Sequence, residues 1–179
     1  MLSLDEAIER LLGQVVPLPA ARAETLSTFD ALGRVLAEDV RSLLDVPPAD
    51  NSEMDGYALR VADVPSPGTV LPVSQRIPAG KVGTALAPGT AARIFTGAQV
   101  PAGADAVLMQ ELCTAVEGGV RIDASPREGQ SIRRRGEDVR HGSTVLQAGV
   151  RLSPQALGMA ASVGAATLSV GARPRVALF

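Results

Sequence analysis

The sequence predicts an α+β, β-rich fold, and three observations lead there. From Val46 to roughly Asp138, short apolar or alternating runs are separated by Pro and Gly, the pattern of a small antiparallel barrel or sandwich. Helical periodicity is confined to the flanks, at Leu4 to Gln14 and after Ser153. The 179 residues are 46% hydrophobic but only 2% aromatic, so the core is built from Ala, Val, Leu and Ile.

Each element has a local reason. Ser3-Leu4-Asp5-Glu6 has the form of a capping box, and Leu4, Ala7, Ile8, Leu11, Leu12 and Val15 repeat at helical spacing until Pro17. A helix is expected from Leu4 to about Gln14. After the Pro17-Leu18-Pro19 break, Glu24 to Thr28 reads as extended, and Phe29 to Gly33 as a short helical turn closed by glycine. Val35 to Val40 fits helix or strand.

Leu71 to Ile77, Ala91 to Phe95 and Ala106 to Leu112 are candidate strands. Pro78-Ala79-Gly80-Lys81, Pro88-Gly89 and Pro101-Ala102-Gly103 supply the turns between them. Gly118-Gly119 is the best two-residue hairpin signal. After His141, Thr144 to Leu146 and Val150 to Leu152 flank a turn at Gln147-Ala148-Gly149. Ser153-Pro154 offers an N-cap with proline at the first helical position, and the helix should run to about Val163 before Gly164 stops it. Thr167 to Val170 reads as a strand. A last strand, Val176-Ala177-Leu178-Phe179, is apolar throughout and expects cover on both faces, which points to an N-terminal part of a longer protein.

Bulk properties exclude several classes. Net charge is −2, from 17 basic and 19 acidic side chains, which removes the electrostatic basis for non-specific nucleic-acid binding. No apolar run approaches the roughly 20 residues needed to span a bilayer, and the first 20 residues lack a signal-peptide pattern; a cytoplasmic protein without a membrane partner is expected. Cys113 and His141 are the sole residues of their kinds, so the chain offers no disulfide, zinc cluster or His-paired nucleophile, and they read as a buried Cys and a surface His. Any metal must be hard and oxygen-bound.

Three constellations could carry chemistry. Asp50-Asn51-Ser52-Glu53-Met54-Asp55-Gly56-Tyr57 follows the Pro47-Pro48 break. It fails both registers of a calcium EF-hand loop: starting at Asp50 puts Met54 fifth and Val61 twelfth, and starting at Asn51 leaves Ala62 where the glutamate belongs. It could hold Mg²⁺, with Asp50, Glu53 and Asp55 as candidates, or be shaped merely by Asx and Ser turns, which spacing alone favours. Arg133-Arg134-Arg135-Gly136-Glu137-Asp138 could bind oxyanions bidentately or be a solvated, internally paired hairpin. Phe95-Thr96-Gly97-Ala98 followed by Pro101 to Asp105 is a weak phosphate loop and a better strand-to-turn corner.

Taken jointly, Asp45 to Ala58, the Thr96-Gly97 to Asp105 run and Arg133 to Asp138 closely resemble MoeA-type molybdopterin molybdenumtransferases, the family that includes the gephyrin E-domain. Ala31 to Val40 adds to the likeness, which covers essentially the whole chain. The resemblance implies a homodimeric enzyme of four subdomains that inserts molybdate into adenylylated molybdopterin, releases AMP and requires Mg²⁺. Other molybdenum cofactor biosynthesis proteins are potential partners. It implies an elongated mixed α/β subdomain, residues 1–45 and 141–173, interrupted by an inserted small antiparallel β-barrel-like subdomain, residues 46–140. Residues 174–179 would open a third domain, against which the leading helix would pack.

Carried over residue by residue, the resemblance assigns catalytic roles to Asp55, Thr96 and Asp138, at a cleft completed by the partner subunit. Asp55 and Asp138 would bind Mg²⁺ directly or through water, and Arg133, Arg134 and Arg135 would face the cofactor's anionic groups. Glu53 departs from the small residue that relatives commonly carry. The family's pterin, nucleotide and molybdate pockets lie in a C-terminal half outside this sequence, so the chain alone is expected to be inactive. A non-catalytic dimerisation or scaffold module is the alternative.

Overall fold

The computed structural model describes residues 2–14 and 23–173. The expected Pro17 to Pro19 break and the strand at residues 176–179 lie outside them. The fold is α+β and rich in strands, and it divides into two compact units, Met1–Leu43 with Ser143–Phe179 and Leu44–Gly142.

In the first unit, helix α1 (Leu4–Leu12) begins at the capping box. The Ser3 hydroxyl accepts from the Glu6 N–H at 3.2 Å while the Glu6 carboxylate accepts from the Ser3 N–H at 2.7 Å. None of its residues is buried, and Leu4, Ile8, Leu11 and Leu12 are exposed. Strand β1 (Ala23–Ser27) leads into a 3₁₀ turn at Thr28–Asp30, where the buried Thr28 hydroxyl donates to the Ala165 carbonyl at 2.5 Å. The ambiguous Val35 to Val40 segment is not helical but bridges at Val35 and Leu36 and bends at Ala37 and Glu38, because its backbone is claimed by neighbours: Leu36 N–H donates to Val150 O, and Val35 O accepts from Gly171. It ends in β2 (Val40–Arg41).

The two segments that flank the Gln147-Ala148-Gly149 turn take separate partners. Strand β11 (Thr144–Leu146) pairs with β2, while residues 150–152 bond to residues 33–36. Leu36, Val40, Leu152, Leu168 and Val170 then form one buried cluster with Ala156 and Ala160 of helix α2 (Pro154–Ser162). The two alanines stand one helical turn apart on the face toward the cluster. Strand β12 (Thr167–Gly171) closes the unit, antiparallel to β1 with Leu26 opposite Leu168.

The second unit holds a six-stranded sheet. It comprises β4 (Gly56–Leu59), β5 (Thr69–Ile77), β6 (Ala91–Ile94), β7 (Ala106–Met109), β8 (Cys113–Val116) and β9 (Gly119–Ile122), in the spatial order β7-β4-β6-β5-β9-β8. The two edge strands are joined only by the 3₁₀ turn Gln110–Leu112, which obliges the sheet to curl until its ends meet. Strand β5 makes the corner. Thr69 to Pro72 pair with β9, and after an irregularity between Val73 and Gln75 the strand runs parallel to β6, the one departure from antiparallel pairing among the described strands.

Both faces of β4, β6 and β7 are buried. Ala58, Ala92, Ile94 and Val107 enter one cluster, and Leu59, Ala91, Ala106 and Leu108 enter another, which is why these strands read as short continuous apolar runs. The hairpin turn falls at Glu117–Gly118, one residue earlier than expected, since Val116 already pairs with Gly119. Gly118 takes φ +74°. Gly119 is instead a close approach, where a Cβ would meet the Leu71 carbonyl oxygen at 2.4 Å. Cys113 is half-buried instead of buried, and burial pushes its thiol pKa up to about 11. His141 is exposed as expected.

Candidate functional site

The acidic loop and the Thr96 corner are one structure. Ser52 N–H donates to Ala98 O at 2.9 Å, Gly97 N–H to Ser52 O at 2.8 Å, and Val100 N–H to Asp50 O at 2.9 Å. Ser52 is buried, and its hydroxyl donates to the Met54 carbonyl at 2.6 Å, so the Ser turn exists. That turn delivers Asp55 to the start of β4. Gly56 follows because β7 passes too close for a side chain: a Cβ there would lie 2.0 Å from the Leu108 carbonyl oxygen.

Asp55 and Thr96 are in direct contact. One carboxylate oxygen, Oδ1, accepts from both the Thr96 N–H and the Thr96 hydroxyl, each at 2.8 Å. These donors, the backbone N–H foremost, hold the carboxyl pKa below its ordinary value, with the Arg93 guanidinium a lesser contributor. Asp55 is therefore ionised at neutral pH, and Oδ2 keeps its lone pairs free of donors from the described residues. Gly97 is glycine for its φ of +78°, and open space surrounds the position where its Cβ would be.

Asp138 is tied to the segment that precedes the acidic loop, its N–H donating to Val46 O at 2.9 Å. Strand β10 (Ile132–Arg133) lies antiparallel to β3 (Asn51–Ser52), and Arg133 Nη2 donates to Asp138 Oδ1 at 2.5 Å. Arg133 pairs within the run, whereas the next two arginines pair outside it. Arg134 Nη1 reaches Asp50 at 2.8 Å, and Arg135 Nε reaches Asp45 at 2.6 Å. Asp50 also accepts from the Arg135 N–H, and Asp45 from the His141 N–H, both at 2.8 Å. Those backbone donors are the first cause of the lowered pKa of both acids. The structure thus brings Asp50 to Arg134 and Arg135, Asp55 to Thr96, and Arg133 to Asp138, while the Glu53 carboxylate stays exposed.

Arg93 is a residue that motif reading overlooks. It is half-buried on β6, donates to Gly56 O at 2.9 Å and to the Gln110 side chain at 2.6 Å, and stacks over Tyr57 at 5.2 Å and Phe95 at 4.6 Å from the ring centroids. The available signal is a lone charge inside Ala91-Ala92-Arg93-Ile94-Phe95, since a cation in a buried strand requires such partners.

Among the described residues no group of three or more His, Cys, Asp or Glu side chains is placed to hold a metal, and no helix is long and apolar enough to cross a membrane. The donors that do exist, free carboxylate oxygens on Asp55 and Asp138, suit a hard cation that keeps most of its water.

The fold superposes on solved structures of a molybdopterin biosynthesis moeA protein. The chain belongs to the MoeA family: the description "MoeA N-terminal region (domain I and II)" matches residues 2–164. It is 42% identical to a molybdopterin molybdenumtransferase of Synechococcus elongatus over 99% of its length, and 40% identical to that of Haemophilus influenzae over 93%. Molybdopterin molybdenumtransferase 2 of Mycobacterium tuberculosis is 46% identical over 88%. The chain spans 45%, 41% and 40% of these three relatives, respectively. A crystal structure of the molybdopterin biosynthesis moeA protein from Pyrococcus horikoshii superposes with a TM-score of 0.84 at 30% identity, across 97% of this chain and 45% of that one. A second structure of that protein gives 0.78 at 35% identity, across 85% and 41%.

Proposed function

We propose that the chain is the part of a molybdenum cofactor biosynthesis enzyme that supplies one wall of a composite active site. In this reading the parent is a cytoplasmic homodimer that inserts molybdate into adenylylated molybdopterin with release of AMP, and exchanges cofactor with other proteins of the same biosynthesis. The chain by itself is inactive. The single observation that carries the reading is the Asp55–Thr96 pair: an ionised carboxylate oriented through one oxygen, with the other oxygen free.

Asp55, Thr96 and Asp138 are the catalytic candidates. Thr96 orients Asp55, and Arg133 orients Asp138 in the same one-oxygen manner. A bare carboxylate repels molybdate and phosphate, so each acid does its work by accepting protons from substrate or water donors or by facing a cation. Mg²⁺ fits the free oxygens of Asp55 and Asp138, through one or two carboxylates and water, and when bound supplies positive charge beside the anionic substrates. Arg133, Arg134 and Arg135 each keep N–H donors beyond those used on their acids, and these can serve the cofactor's anionic groups. The exposed apolar side chains of α1, Leu4, Ile8, Leu11 and Leu12, support an assembled form in which they are covered.

The test is Asp55→Asn and Asp138→Asn in the full-length parent, assayed for molybdenum insertion, folding and dimerisation. Insertion falls at least about a hundredfold, as for loss of a positioned acid–base or charge-stabilising group, while fold and assembly are retained. Wild-type turnover by either variant removes that residue from the site.

A further inference from the structure

Two arginines of the curled sheet, like Arg127 outside its strands, have no ion-paired carboxylate among the described residues. Arg60, Arg121, Arg133, Arg134 and Arg135 in the same unit each pair with a carboxylate within 4.0 Å. Arg76 and Arg93 do not. Arg76 on β5 stands directly opposite Arg93 on β6, and Tyr57 on β4 completes the row. Both guanidiniums lie over one ring, that of Phe95, at 4.7 Å for Arg76 and 4.6 Å for Arg93. Cation–π contact orients both groups and neutralises neither. Arg76 is exposed, and its guanidinium makes neither an ion pair nor a hydrogen bond with a described residue.

Two like charges held over one ring at the surface create a local field that an anion relieves, and each guanidinium still presents a fork of unused N–H donors. We infer that Arg76, Arg93 and the Phe95 ring between their strands form a binding platform for a tetrahedral dianion, next to the Asp55–Thr96 pair. Asp55 precedes β4 and feels the Arg93 charge, while Arg76 is on β5 with β6 between. The backbones of β4 and β5 are therefore separated by roughly 10 Å. Arg93, in the middle, is fixed by Gly56 and Gln110, so its orientation does not depend on the ligand.

Resting on the function proposed above, the anion is a charged group of that reaction, either the phosphate of the nucleotide-bearing substrate or the free metal oxyanion. The 179-residue chain is titrated with inorganic phosphate, with AMP and with molybdate, following the arginine Nε–H resonances by NMR. At least one anion shifts Arg76 and Arg93 saturably, and the tightest of the three identifies the source. Arg76→Gln weakens binding by roughly tenfold, the loss expected for a charge-assisted hydrogen-bond donor. Arg127→Gln, an exposed arginine elsewhere on the same unit, leaves binding unchanged. Equal weakening in both variants, unchanged binding in Arg76→Gln, or no response to any of the three anions overturns the platform. No turnover is read, so the platform can fail while the insertion reading stands, and the reverse.

Discussion

Thr96 donates twice to one oxygen of Asp55, and the two donors are separable. The hydroxyl is removed by Thr96→Val, which keeps the side-chain shape, while the backbone N–H, the larger cause of the lowered pKa, remains. The Asp55 carboxyl in Thr96→Val should therefore titrate at higher pH than in the parent chain yet stay below its ordinary value. Carbonyl-detected NMR titration reads this directly, and an unchanged titration would mean that the hydroxyl does not orient the acid. Asp55, Thr96 and the arginine run were all legible as motifs, and internal pairing, one of two readings their spacing allowed, holds for Arg133 with Asp138. The reach of Arg134 and Arg135 to Asp50 and Asp45 was not legible, because it spans 84 and 90 residues of chain. Arg93 was missed for a related reason: its partners Tyr57 and Gln110 become neighbours only when β4 and β7 pair.

Among the elements, both helices could be read almost to the residue because their ends are written locally. The Ser153 hydroxyl accepts from the Ala156 N–H at 3.2 Å, with Pro154 in the first turn. Replacing Ser153 by Ala should cost about 1 kcal/mol, the usual worth of such a cap, and shift the urea midpoint of the first unit accordingly. No shift would show that Pro154 and the packing of Ala156 and Ala160 suffice to start α2. Strands were harder. The run at residues 69–77 was expected as a strand, but nothing within it announces that its first half pairs with β9 and its second half runs parallel to β6. The hairpin turn slipped by one residue because two consecutive glycines offer the same local freedom, and only the Leu71 carbonyl distinguishes Gly119 from Gly118.

For the whole molecule, the acids that lace residues 45–50 to residues 134–141 make stability pH-dependent. Asp45 and Asp50 have folded-state pKa values below their ordinary 3.8, so the folded form binds fewer protons than the unfolded one at low pH. Their contribution is complete well above that value and is lost as pH falls through it toward the lowered folded values. Urea midpoints should therefore hold near neutrality and fall below about pH 4, and Asp45→Asn with Asp50→Asn should flatten the fall. A parallel fall in the double variant would place the acid sensitivity elsewhere. By itself the sequence determined what is written over a few residues: helix caps, turn glycines, apolar runs, and the ordered motifs that carry the family likeness. Tertiary structure alone decided which strands pair, that the sheet curls, and that Arg76 and Arg93 share one ring. Caps and turns are satisfied by backbone groups three or four positions away. Strand partners and ion pairs are chosen by burial and hydrogen bonding between segments that only the folded chain brings together.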